Sequence, residues 1–475
     1  MRETIISVGI DIGTSTTQLI FSRLTMENRA GSHMVPRIVI TDKEIIYRSS
    51  IYTTPLLSRE KIDVGKVQKI IEGEYEAAGI DPGQVQTGAV IITGETARKE
   101  NAGEVLKALS KMAGDFVVAA AGPALESVLA GKGAGTDRIS KENRAAVVNV
   151  DIGGGTSNMA LFDCGKLTGT SCIDVGGRLI RVEKGKVTYV YPRLQKMAAA
   201  HGLAIEEGES VQKDKLWSIC RWMADQLAMA LHLKPEEKEH EGFYTNGGKP
   251  LPNQPVIEGI TLSGGVAGCM KEEPEDPFCY DDIGVLLGRA VRENKELSGL
   301  KQFAAAETIR ATVVGAGNHT TQVSGSTISC ESKLLPLKNL PVLRIEEEDT
   351  GSAESLQKSL ETQLELFCPN GEQETTAVSL KGDGFGSFQK IQELADVLAQ
   401  SSEEKLARDH PLVVVVERDI AKALGQALKV RLGQKRDIIC LDGIAAGSGD
   451  YLDIGKPLAM GRVVPVVIKT LIFNT

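Results

Sequence analysis

The chain has 475 residues, of which 42% are hydrophobic, 25% charged and 4% aromatic, a balance that fits a folded globular protein and excludes a disordered one. Its length exceeds the ~250–300 residues at which a single core stops growing, so at least two domains are expected. A formal net charge of -9 offers no clustered attraction for phosphate backbones or anionic membranes, so neither nucleic acid nor a membrane is an expected partner.

The eight cysteines are scattered, without a C-x-x-C pair and without zinc-type spacing to the six histidines, which reads as reduced thiols in a cytoplasmic protein. The first twelve residues hold no cationic segment followed by an apolar signal core; they lead straight into a strand pattern. The apolar tracts 412–416 and 463–473 are far shorter than the roughly 20 residues of a membrane span, and the second contains Pro465 and Lys469. They are expected to be buried strands.

Residues 5–21 read as a strand, a Gly/Thr/Ser turn and a second strand, which is a hairpin. The segment Gly31-Ser32-His33-Met34 resembles a vector scar but is followed by a continuing strand pattern, so it is read as a native loop. Residues 66–78 and 96–112 look helical, and 89–93 and 116–121 look like buried strands, giving a mixed α/β order. The hairpin design then returns: Val148-Asn149-Val150-Asp151-Ile152-Gly153 repeats Val8-Gly9-Ile10-Asp11-Ile12-Gly13. Two similar half-domains are therefore expected, their Gly-rich turns facing one another across a cleft that could clamp a charged ligand.

Residues 213–233 carry the apolar periodicity of a packed helix, for which core packing alone is a sufficient account. The Lys, Glu, Gly and Pro of residues 235–255 read as an exposed excursion. A strand follows, ending in Ser263-Gly264-Gly265. An acidic run at 346–351 opens the helical pattern 352–367, and residues 412–475 return to strands and helices (413–416, 420–432, 438–441). The resulting division is 1–140, 141–330 and 331–475.

The chemistry is concentrated in the two turns. A phosphate chain needs backbone N–H groups that it can approach closely and hydroxyls that donate without adding negative charge. Gly13, Thr14, Ser15 and Thr16 supply these in one turn, and Gly153, Gly154, Gly155 and Thr156 in the other. Asp11 and Asp151 stand just before the turns, where each could hold Mg²⁺ through its waters. No G-x-x-x-x-G-K-[ST] occurs, and Gly315 and Gly317 are followed by Asn318-His319-Thr320, so neither a P-loop nor a dinucleotide fingerprint is present. His319 reads as a hydrogen-bonded turn residue with no catalytic role.

Ile10-Asp11-Ile12-Gly13-Thr14-Ser15-Thr16 and Val150-Asp151-Ile152-Gly153-Gly154-Gly155-Thr156 resemble the two phosphate motifs shared by actin, the heat-shock chaperone ATPases and the sugar kinases. Leu262-Ser263-Gly264-Gly265 is similar to that superfamily's adenosine motif, with Gly264 and Gly265 as its contact residues. Residues 119–135 and 310–325 resemble its two connecting segments. Asp174-Val175-Gly176-Gly177-Arg178 resembles the turn that follows the second phosphate hairpin and is expected beside the cleft. The resemblance implies an actin-like ATPase fold, two ribonuclease H-like half-domains around a nucleotide cleft, with ATP and Mg²⁺ as cofactors.

Over nearly the whole chain, "VGIDIGTSTTQLIFS", "VDIGGGTSNMALFDCG", "GAGNHTTQVSGSTI" and "YLDIGKPLAMGRVVPVVIKTLIF" look like the ethanolamine ammonia-lyase reactivating factors. That resemblance implies a slow ATPase acting as a chaperone on ethanolamine ammonia-lyase, releasing damaged cobalamin so that intact adenosylcobalamin replaces it, with a bacterial microcompartment as an associated location. An oligomer or a small second subunit is left open, and the hydrolytic base is unassigned. Two alternatives stand beside it. A small-molecule kinase would need a carboxylate base within reach of the acceptor hydroxyl; the resemblance to the sugar kinases puts it near the first connecting segment, where only Glu126 is available, while a filament-forming ATPase shares the fold without sharing the function.

Overall fold

The computed structural model describes residues 2–13, 16–29, 38–58, 61–93, 101, 104–105, 108–109, 123–237, 240–245, 249–271, 274–325 except 320, 327–366, 375–405, 410–447 except 434, 450–458 and 463–470. Thr14 and Ser15, the segment 31–34, the strand expected at 116–121 and most of the helix expected at 96–112 lie outside these residues.

The first sheet has the order β3-β2-β1-β4, with β1 (Arg2–Ile12), β2 (Thr16–Asn28), β3 (Ile38–Arg48) and β4 (Val85–Ile92). Its first three strands form an antiparallel meander, and β4 runs parallel to β1. Helix α1 (Val64–Ala78) begins where Asp63 accepts the Lys66 N–H and ends at Gly79 in the left-handed region, and it buries Val67, Ile71 and Tyr75 one turn apart.

The same order recurs. After α2 (Pro123–Gly133), strands β5 (Ala146–Ile152), β6 (Ser157–Asp163) and β7 (Lys166–Ile173) form a second meander, joined across a parallel edge by β8 (Gly259–Ser263) and β9 (Lys301–Phe303), in the order β7-β6-β5-β8-β9. Between β7 and β8 lies α3 (Lys213–Ala230), whose Ile219, Trp222, Met223 and Leu227 fill the core. The stretch 235–255 corrects the expectation of a wholly exposed excursion: His240, Phe243 and Thr245 are buried, because Asp174 and Cys172 draw the segment onto β7 through the bonds Asp174 N–H to Phe243 O and Thr245 N–H to Cys172 O. Helices α4 (Gly264–Lys271) and α5 (Gly284–Glu293) follow β8 on this side.

The two half-sheets are joined by α2 and α6 (Ala311–His319). Helix α6 lies against β1, where a Cβ on Gly9 would come within 2.5 Å of Val313 O, and Ser7 Oγ donates to Gly317 O at 2.6 Å. Helix α2 packs on β6, where Gly131 leaves room for Phe162. The helices touch backbone to backbone, since a Cβ on Gly133 would sit 1.8 Å from Ala311 O and one on Gly315 2.0 Å from Leu129 O.

From α6 the chain enters a third sheet through β10 (Thr321–Val323). It continues with β11 (Leu337–Ile345), α7 (Ala353–Leu366), β12 (Ala377–Leu380), α8 (Phe388–Lys405), β13 (Leu412–Val416), α9 (Ala421–Leu432), β14 (Ile438–Asp442), β15 (Asp450–Ile454) and β16 (Pro465–Thr470). Strands β11 to β14 are parallel and in sequence order, so like-handed crossovers put all three helices on one face, where Leu360, Leu394 and Leu424 pack on Leu343, Val378 and Val414. Strands β15 and β16 form a C-terminal hairpin on the antiparallel side, and β16 is the buried strand expected within 463–473. Two half-sheets of one topology, each led by a Gly-turn hairpin and bridged by two connecting helices, constitute the actin-like ATPase fold.

Candidate functional site

The turns of the two leading hairpins share one geometry. Gly13 N–H donates to Thr16 O at 2.8 Å and Gly153 N–H to Thr156 O at 2.9 Å. Both turns open on a cavity of about 480 Å³, within the range of small-molecule sites. Its wall includes Asp11, Gly13 and Thr16 from one half, Asp151 and residues 153–156 from the other, and Gly264 and Gly265 from the start of α4.

Each aspartate has the same two kinds of neighbour. Across its hairpin stands an amide, Gln18 opposite Asp11 and Asn158 opposite Asp151. From the end of the parallel strand comes a hydroxyl: Thr93 Oγ1 to Asp11 Oδ1 at 3.0 Å, and Ser263 Oγ to Asp151 Oδ1 at 2.6 Å. Ser263 is itself held by Asn149 Nδ2 at 3.0 Å, and Thr261 Oγ1 donates to Asn149 Oδ1 at 2.9 Å, a buried polar relay that orients Asp151 from behind.

Burial dominates the electrostatics. It pushes Asp11 up to about 7, against the Thr93 hydrogen bond, and the negative charge of Asp151 pushes it the same way. Burial also lifts Asp151 to about 6, opposed by hydrogen bonds from Ser263 and Thr312. The oxygens Gln18 Oε1 and Asn158 Oδ1 are buried without a hydrogen-bond partner. Two carboxylates lifted by burial beside two orphaned amide oxygens form an all-oxygen donor set short of positive charge.

The glycines have separable reasons. Gly264 has φ +89°, and a Cβ there would lie 2.3 Å from Ile152 O, so the backbone at the end of β8 fits against β5 only without a side chain. A Cβ on Gly265 would meet nothing within 4 Å and would enter the open cavity. The block following the second hairpin also reaches the cleft: Gly177 N–H donates to Gly153 O at 3.0 Å and Arg178 N–H to Gly154 O at 2.6 Å. Asp174 points away and is buried between Arg193 and Thr245.

Sequence reasoning did not single out Gln18, Thr93, Asn158 or Asp282, all of which line the cleft with Glu126 of α2. The hairpin alternation could have found Gln18 and Asn158, since each is seven residues after its aspartate and therefore faces it across the turn. No local signal marks Thr93 or Asp282. The described cysteines are all free, and no helix among the described residues is long and apolar enough to cross a membrane.

A family model described as ethanolamine utilisation protein EutA matches residues 3–474. The chain is 42% identical over 475 residues to the ethanolamine ammonia-lyase reactivase EutA of Escherichia coli (strain K12), covering 99% of this chain and 98% of that relative. It is 40% identical over 472 residues to the reactivase of the same name from Salmonella typhimurium, with the same shares covered. Among solved structures, a Ppx/GppA family member of Aquifex aeolicus aligns with 66% of this chain and 97% of its own at 13% identity, with a TM-score of 0.39. Matched over nearly its full length in each of the two sequence comparisons, the chain belongs to the ethanolamine utilisation protein EutA family.

Proposed function

We propose that the chain is an ATP-dependent reactivating chaperone for ethanolamine ammonia-lyase, which promotes release of damaged cobalamin and its exchange for intact adenosylcobalamin. The observation that carries the reading is the pairing of the Asp11 and Asp151 turns on one cavity in a chain similar throughout to two proteins named as reactivases of that lyase. Residues 1–140 and 141–330 would supply the half-domains and 331–475 the appended unit. The proposed setting is the cytoplasm, in association with a bacterial microcompartment.

The residues fit Mg²⁺ and ATP. The Gly13 and Gly153 N–H groups close their own turns, so the backbone N–H groups of Gly154 and Gly155 are the ones that would meet phosphate without side-chain obstruction, and Gly265, whose Cβ would meet nothing within 4 Å, would leave the nucleoside end open. Asp11 and Asp151, with the orphaned oxygens of Gln18 and Asn158, would hold a hydrated Mg²⁺ through its waters. Bound there, Mg²⁺ neutralises phosphate charge. The protein's own part is to cradle the phosphates, favour the ionised carboxylates through the Thr93 and Ser263 hydroxyls against the pull of burial, and close the half-domains on the ligand. ATP can move the partner lyase only through a difference in affinity between cleft states.

The test is direct. Ethanolamine ammonia-lyase inactivated with cyanocobalamin or by turnover is mixed with this protein, ATP, Mg²⁺ and fresh adenosylcobalamin, and acetaldehyde production is measured. Recovery should require all four additions and be abolished by Gly265→Val, whose Cβ would meet nothing within 4 Å and whose branched side chain would project into the cavity, with thermal melts to check that the variant folds. Equal recovery without ATP overturns the mechanism. A kinase on this fold is the second reading, because Glu126 lines the cleft; stoichiometric phosphorylation of a small metabolite, or turnover above the ~10 s⁻¹ enzyme median, would favour it.

A further inference from the structure

Among the described residues that line the cleft, four are carboxylates (Asp11, Glu126, Asp151 and Asp282) and one is a cation, Arg178. A nucleotide polyphosphate entering that field adds further negative charge, which one Mg²⁺ and backbone N–H groups would offset only in part. Arg178 is placed to answer it. Its N–H is bonded to Gly154 O at 2.6 Å, so the residue rides on the second turn. Two residues earlier, Gly176 can carry no side chain in this arrangement, since a Cβ there would be 2.4 Å from Gly154 O.

Among the described residues the guanidinium has one hydrogen-bonded ion pair. Its Nε lies 3.3 Å from Asp282 Oδ2, at the long end of a charge-assisted hydrogen bond, and its side chain is 30% exposed. Asp282 has another occupation: its Oδ1 accepts the Gly284 N–H at 2.7 Å at the start of α5. Burial pushes the Asp282 carboxyl up, and Arg178 is among the groups that hold it down. The pair is thus an arginine resting on a half-committed carboxylate in the wall of the cleft.

We infer that Arg178 is the polyphosphate clamp of the cleft: it leaves or shares Asp282 when a nucleotide enters and pairs its terminal guanidinium nitrogens with phosphate oxygens, so that Asp282 acts as its resting partner and competitor. The inference rests on the nucleotide reading above and adds to it a residue and a ligand moiety. A planar fork suits phosphate better than an ammonium does. The alternative, a purely structural ion pair that ties the 176–178 turn to α5, makes the opposite forecast for Asp282.

Calorimetry of Mg²⁺–ATP binding to the full chain, wild type against Arg178→Gln, Arg178→Lys and Asp282→Asn, separates the two, with thermal melts confirming that each variant is folded. The clamp requires Arg178→Gln to lose ~10–100-fold in affinity, the scale of one charged hydrogen-bonded contact, and Arg178→Lys to fall between it and the wild type. Asp282→Asn, which keeps the oxygen that accepts from Gly284, should bind at least as tightly as wild type, because the competitor has lost its charge. If wild type binds and Arg178→Gln binds equally well, or if Asp282→Asn loses as much as Arg178→Gln, the clamp is overturned while the nucleotide reading stands. If wild type binds no Mg²⁺–ATP, the nucleotide reading itself falls, and the clamp with it.

Discussion

Thr93 Oγ1 donates to Asp11 Oδ1 at 3.0 Å from just beyond the strand that runs parallel to β1, and Ser263 repeats the contact to Asp151 at 2.6 Å in the other half. These hydroxyls oppose the burial that lifts both carboxyls. Removing one should raise the aspartate further. In Ser263→Ala, the pH midpoint for Mg²⁺-dependent nucleotide binding should move upward by about 1 unit, the equivalent of ~1.4 kcal/mol of lost preference for the charged form; titrating binding between pH 5 and 9 checks it, and an unmoved midpoint contradicts it.

The same shifts make metal-free stability depend on pH in a stated direction. Asp11 and Asp151 have folded values of about 7 and about 6 against an ordinary 3.8, so the folded state binds more protons than the unfolded one in between. Their contribution is full below about 3.8 and is lost as pH rises toward 7. Thermal unfolding without divalent cations should therefore show Asp11→Asn/Asp151→Asn gaining on wild type from pH 4 to pH 8. Added Mg²⁺ and nucleotide should stabilise wild type more at pH 8 than at pH 5, and leave the double variant nearly unmoved.

Gly264 and Gly265 are adjacent but should fail differently. Gly264→Ala forces a side chain into φ +89° and against Ile152 O, which should cost about 1–3 kcal/mol in denaturant unfolding. Gly265→Ala should leave stability within about 0.5 kcal/mol, because its Cβ meets open space. Equal destabilisation by the two would show that the end of β8 does not pack as described.

The helix crossing between the half-domains should be intolerant of bulk. A Cβ at Gly315 would lie 2.0 Å from Leu129 O, so Gly315→Val must wedge α6 from α2. A loss of about 3 kcal/mol or more in denaturant unfolding is expected, at the upper end of overpacking. Gly299→Val, with nothing within 4 Å, is the control and should change stability little.

Much of this was legible in the sequence, and in specific places. The strand-Asp-Gly pattern at Asp11 and Asp151 marked both hairpins because alternation and turn glycines are local signals, and the helices at 213–230 and 353–366 followed from apolar periodicity. The burial of His240 and Phe243 was not legible. The Lys, Glu, Gly and Pro around them write a polar loop, and only contacts with Asp174 and Cys172 pull it inward.

The duplicated hairpins, their order and the glycines of the turns are written locally, since each depends on residues within a few positions of one another. It took the packed fold to pair Thr93 with Asp11 and Ser263 with Asp151, to bring Arg178 as the cation among the described residues of the cleft wall, and to let two helices meet backbone to backbone at Gly133 and Gly315. A hydroxyl, a guanidinium or a missing Cβ carries no record of its partner along the chain. Its role exists only once packing has brought distant segments within hydrogen-bonding or van der Waals distance.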